Sequence, residues 1–151
     1  MKSDLDPTVR AEFDQRARSL GRQARAAFAA GNLDEAHAHQ LERLGLNQQL
    51  DDEDGIATTL YEIGCLEVRL GRLTDAANHL GESFDRFQTS RRADGIAVSG
   101  YQLGVVLVQL GRPAEAVPAY AEARDAYQFL GRTERAEEID ATLAAIGVGD
   151  A

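Results

Sequence analysis

The strongest constraint on this chain is an internal period of forty residues. Sliding 57–96 onto 97–136 without a gap leaves Ala57/Ala97, Tyr61/Tyr101, Gly64/Gly104, Val68/Val108, Leu70/Leu110 and Ala76/Ala116 identical, with further matches at Gly71-Arg72/Gly111-Arg112, Glu82/Glu122 and Arg92/Arg132. Residues 17–56 join the same register through Gly31/Gly71, Ala36/Ala76 and Asp54-Gly55-Ile56 against Asp94-Gly95-Ile96. Three tandem units are therefore expected, at about 17–56, 57–96 and 97–136. Repeats of this length build stacked arrays, because one unit cannot bury its apolar face alone.

Each unit divides into two helices. Ile56, Leu60, Ile63 (or Gly64) and the pair Glu67/Val68 recur at helical spacing up to Leu70, and Gly71 ends that helix by accepting a left-handed conformation. Leu73, Ala76, Ala77, Leu80, Phe84 and Phe87 form a second stripe. Leu-Gly-Arg at 70–72 and 110–112 thus closes the first helix of a unit, and at 130–132 it closes the second helix of the last unit. Pro113 suits a first helical turn, whereas Pro118 is expected to bend or fray the start of the helix it lies in. The shared Asp54 and Asp94 read as helix N-caps. The acidic run "DDEDG" at 51–55 does not fit a calcium loop, since counting back from Gly55 puts Leu50 at the first ligand position.

The flanks extend this pattern. Asp6-Pro7 opens a long first helix with Val9, Phe13, Ala17, Leu20, Ala24 and Phe28 on one stripe, so 7–16 forms an extension ahead of the first unit. Thr133 is expected to cap a closing helix over 133–146, with Ile139, Leu143 and Ile146 inward and a charged face outward. Residues 147–151, "GVGDA", read as a loose tail. The whole chain, 1–151, is expected to be one domain, complete from Met1 to its polar-backed last helix.

Composition narrows the function classes. With 44% hydrophobic and 27% charged residues the chain reads as a soluble folded protein, and no stretch approaches the roughly 18 apolar residues of a membrane span. The first ten residues lack an apolar signal core. A net charge of −9 argues against nucleic acid, which is bound through Lys and Arg. The single cysteine excludes an internal disulfide and suits a reducing compartment, so a cytoplasmic location is expected.

The residues at fixed places in the unit resemble the tetratricopeptide repeat family, in a forty-residue variant like that of kinesin light chains and some bacterial regulators. The small residue at position 8 is Ala24, Gly64 and Gly104. The turn residue at 15 is Gly31, Gly71 and Gly111, and the alanine at 20 is Ala36, Ala76 and Ala116. The large residue at 24 is Leu80 and Tyr120, from which Gln40 departs; the small residue at 27 is Ser83 and Ala123, from which Arg43 departs. The resemblance implies an all-α, right-handed α-solenoid of three tandem helix-turn-helix repeats plus a C-terminal capping helix.

It also implies a function: a non-catalytic interaction module that takes a segment of a protein partner in its concave groove. The family's groove positions fall here on Arg18 and Arg25, then Thr58, Tyr61, Cys65 and Arg69, then Val98, Tyr101, Val105 and Gln109. Arg22 joins the arginines at the N-terminal end. Arginines in an acidic chain suggest a partner with acidic residues, and tyrosines are frequent anchors. The competing readings are that the arginines pair with Glu12 or Asp14 along their own helix, and that Tyr61 and Tyr101 pack between units. The chaperone-binding branch of the family holds a terminal carboxylate with Lys, Asn and Arg; its positions are Gly21, Arg25, Glu62, Val98 and Gln102 here, and none matches. Alternatives to the groove module are a homodimer formed through the same apolar strip and a regulatory module of a bacterial signalling system.

Nothing in the sequence calls for catalysis, a metal or a cofactor. His37 and His39 diverge on a helix and cannot meet on one ion; with His79 they read as surface residues. Cys65 has no histidine on its own helix and reads as a small packing residue. Phosphate-cradle, nucleophile-elbow and zinc-protease motifs are all missing from the sequence.

Overall fold

The computed structural model describes residues 4–149 and is all helix and turn. Its elements are α1 (Pro7–Ala29), α2 (Leu33–Gln49), α3 (Glu53–Arg69), α4 (Leu73–Thr89), α5 (Ala93–Gln109), α6 (Pro113–Phe129) and α7 (Thr133–Gly149). Every helix after α1 is 17 residues long and every turn is three, so the chain advances in helical steps of twenty and in units of forty.

The turns share one mechanism. In each, the middle residue adopts positive φ, as Gly71 (76°) and Gly111 (73°) do. The next amide then reaches back across the helix end: Arg72 N–H donates to Glu67 O at 2.8 Å while Gly71 N–H donates to Val68 O at 3.1 Å. This double bond pattern satisfies carbonyls that a helix end otherwise leaves orphaned. The two turns between units place Asp51 (52°) and Arg91 (55°) in the same conformation without glycine. The first Leu-Gly-Arg of the sequence, at 20–22, lies inside α1 and ends nothing; there Gly21 makes room for the Arg43 guanidinium.

Helices pack on their neighbours in the chain, and α3 also touches α5, whereas α1 and α3 stay apart. The core is built at the crossings. A Cβ on Gly64 would lie 2.5 Å from Leu80 Cγ, and one on Gly104 would lie 2.7 Å from the Tyr120 ring, so glycine at position 8 admits the large residue at 24. Ala76, Leu80, Val106, Leu107, Tyr120 and Ile139 join α4 through α7 in one apolar cluster; Ala27, Ala36 and Leu66 form a smaller one at the N-terminal end. This is an all-α repeat solenoid.

Some local expectations are corrected. The cap of α3 is Asp52, whose Oδ1 accepts from Gly55 N–H at 3.0 Å, and Asp54 sits inside the first turn. Asp94 is likewise one turn inward and pairs with Arg92 at 3.0 Å. The reason is the three-residue turn: the cap directly follows the positive-φ residue. For the same reason Thr133 is the first helical residue of α7 and not its cap. Pro118 does not fray α6, which runs unbroken from Pro113. The closing helix continues through Gly147 to Gly149, because glycine costs a helix only about 1 kcal/mol against alanine and does not end one by itself. The rest of the expected tail, 150–151, lies outside the described residues. In contrast, Asp6 caps α1 by accepting from Thr8 N–H at 2.9 Å, with Pro7 in the first turn as its chemistry requires.

Candidate functional site: a cleft between the first and third helices

The backbones of α1 and α3 stand apart, and the concave side opens between them into a cleft of about 670 Å³. Ala24, Arg25 and Phe28 of α1 form one wall, and Tyr61, Cys65, Val68 and Arg69 of α3 form the other. Gln40 and Leu66 lie beneath, and Gln102 reaches in from α5. The size falls within the range of sites that take a small ligand or a pair of side chains.

Of the residues expected from sequence, Arg25, Tyr61, Cys65 and Arg69 meet in this cleft. Arg18 and Arg22 lie along α1 in a shallower recess with Asp14 and Gln15. Thr58 sits in the first half of α3, half-buried, and Val98 and Val105 are half-buried on α5. Gln109 is exposed at the end of α5. Tyr101 packs edge-on against Tyr120, with ring centroids 6.1 Å apart, and the Arg135 guanidinium of α7 rests 5.1 Å over its ring. The last helix thus covers the C-terminal part of the concave face, and the open volume is at the N-terminal part.

The electrostatics of the cleft are unusual for so acidic a chain. Arg16, Arg43, Arg72, Arg86, Arg92, Arg112, Arg124 and Arg135 each hold a carboxylate. Among the described residues Arg18, Arg22, Arg25 and Arg69 hold none, and pairing with Glu12 or Asp14 does not occur. Arg69 instead lies 5.0 Å over the Phe28 ring. Glu62, the one carboxylate lining the cleft, is already taken: Gln40 Nε2 donates to it at 2.7 Å and Arg43 Nη1 at 2.9 Å. Arg91 and Arg132 are likewise without a carboxylate but lie elsewhere, so four of the unpaired arginines belong to α1 and α3.

The same walls are chemically quiet. Burial pushes the Cys65 thiol up, so it stays protonated, and its neighbours are Tyr61 and Gln102, the latter at 3.9 Å. Burial and the adjacent thiol also raise the Tyr61 phenol. Neither the Cys65 thiol nor the Tyr61 phenol is held in its reactive, deprotonated form. Among the described residues no set of His, Cys, Asp and Glu side chains is grouped to hold a metal ion, and no helix is long and apolar enough to cross a membrane.

All three histidines are half-buried and so depart from the surface placement expected of them, and two of them share one carboxylate. Glu67 is only 2% exposed, and its two oxygens are held by His37 Nε2 at 2.9 Å and His79 Nδ1 at 2.7 Å. A buried carboxylate needs such partners, and only residues from α2 and α4 can reach it there. The signal is present in the repeat: the equivalents of Glu67 are Ala27 and Leu107, both apolar and buried. His39 is half-buried as well and lies 3.5 Å from Glu35 of its own helix.

Comparison with known proteins agrees with this architecture. Residues 55–128 match the family model described as tetratricopeptide repeat. Among solved structures, a Podosopora anserina protein of kinesin-light-chain type with nearly identical TPR-like repeats superimposes with a TM-score of 0.63 at 18% identity, covering 89% of this chain and 76% of that one. No curated protein sequence matches the chain.

Proposed function

We propose that this chain, whose residues 55–128 are tetratricopeptide repeats, holds an acidic segment of a protein partner in the cleft between α1 and α3. Tetratricopeptide repeats generally mediate protein–protein interaction and are typically non-catalytic scaffolds. The observation that carries the finer reading is the row of arginines without carboxylates, Arg18, Arg22, Arg25 and Arg69, on an otherwise acidic molecule.

Magnitudes assign the roles. Exposed arginine–carboxylate pairs are worth about 0.2–1 kcal/mol each, so Arg18, Arg22 and Arg25 steer and orient the segment. An apolar side chain burying about 100 Å² against Phe28, Val68 and Tyr61 adds about 2.5 kcal/mol. Gln102 offers an amide to the segment's backbone.

Selection of a displayed peptide library on the native chain and on Arg18→Glu with Arg25→Glu tests this. The native chain should enrich Asp and Glu beside one large apolar residue, and the double variant should lose that enrichment. Peptides indifferent in charge, or unchanged by the double substitution, would reject the reading.

A further inference from the structure

We propose that the seam between α2 and α3 is a polar joint that sets the width of the cleft. The inference deepens the proposed function, since its consequence rests on reading the cleft as a partner site. The joint itself is a property of the free chain.

The two seams between units differ in kind. Across α2/α3 run His37 to Glu67 (2.9 Å), Gln40 to Glu62 (2.7 Å), Arg43 to Glu62 (2.9 Å) and Asn47 to Thr59 (3.0 Å). Gln40, Asn47, Thr59 and Glu67 are all buried. Across α4/α5, the equivalent seam, no side-chain hydrogen bond forms among the described residues; Phe87 packs on Gly95 and Phe84 on Gly100 instead. The apolar cluster that unites α4 to α7 does not extend to α1 and α2, whose own cluster is small. Moreover α3 touches α5, while α1 and α3 leave the space that is the cleft.

These facts describe a first unit attached to the second largely through directional polar contacts, with a small apolar cluster through Leu66 and the Arg69–Phe28 contact beside them. Hydrogen bonds break over small displacements and can be replaced by water, whereas apolar packing resists both separation and wetting. Rotation about this seam moves α1 relative to α3 and so opens or narrows the cleft. Glu62 lines the cleft while holding Gln40 and Arg43, so occupancy of the cleft and order in the seam share a residue. One further mark of looseness is the Arg43 Nε, buried without a partner.

Hydrogen exchange followed by mass spectrometry on the full chain tests the joint without any ligand. Amides of α1 and α2 should exchange about tenfold faster than those of α5 and α6, through an opening that leaves 53–129 closed. Asn47→Leu with Thr59→Val replaces a buried polar pair by apolar groups of similar shape and should narrow that difference. Glu67→Gln weakens the His37 contact and should widen it by about another tenfold. Equal protection of all helices in the native chain, or substitutions that shift every helix alike, would overturn the joint. If the joint holds while acidic peptides fail to bind, only the reading of the cleft falls.

Discussion

At the scale of single residues, the cleft is defined as much by what its side chains have given up as by what they offer. Cys65 is the clearest case. Its thiol is raised by burial, which lowers the thiolate fraction at neutral pH, and the thiolate is the reactive form. Alkylation by iodoacetamide should therefore be slow at pH 7 and should reach half its maximal rate only above about pH 8.5, where free thiols titrate. A rate at pH 7 equal to that of an unhindered cysteine would contradict this. The resemblance to the tetratricopeptide repeat assigns Arg25, Tyr61, Cys65 and Arg69 to one groove, and the four line the same cleft. Helical spacing puts Glu67 in register with Ile56, Leu60 and Ile63, and the structure buries it there, but spacing does not name its partners His37 and His79. Its repeat equivalents Ala27 and Leu107, both apolar, mark the same inward position.

At the scale of the helix and its turn, one rule serves six junctions, and residue type follows from φ. Gly71 has φ of 76°, and a Cβ added there would meet no atom within 4 Å, so the demand for glycine is one of backbone and not of space. Gly71→Ala should cost about 1 kcal/mol, the cost of a left-handed non-glycine residue. Arg91, at 55°, already bears that cost. Hence Arg91→Gly should stabilise the chain, by less than about 1 kcal/mol because glycine also gains freedom in the unfolded state, or about 2 °C in melting temperature. Opposite signs in urea unfolding confirm the rule; two losses would refute it. The glycines announce their turns in the sequence. The two turns at Asp51 and Arg91 carry no such mark, which is why residue chemistry points to Asp54 and Asp94 as caps of α3 and α5 where the structure has Asp52 and Arg92.

At the scale of the whole molecule, the repeat makes the architecture legible before any coordinates. In-register identity over three units leaves little choice but a stack of hairpins. The departures from the repeat, Gln40 and Arg43, are visible too, and they gather at the seam between the first and second units. What periodicity does not reveal is where the concave face stays open. That depends on α1 and α3 standing apart and on α7 placing Arg135 over Tyr101, relations between distant segments that no local pattern encodes. The most direct test of the account is a titration of the isotope-labelled chain with an acidic peptide selected on it, read by amide NMR shifts. The account predicts saturable shifts concentrated at Arg25, Phe28, Tyr61, Cys65, Arg69 and Gln102, which vanish in the Arg18→Glu, Arg25→Glu variant. Shifts confined to α4 and α6, with those six residues unmoved, would contradict it.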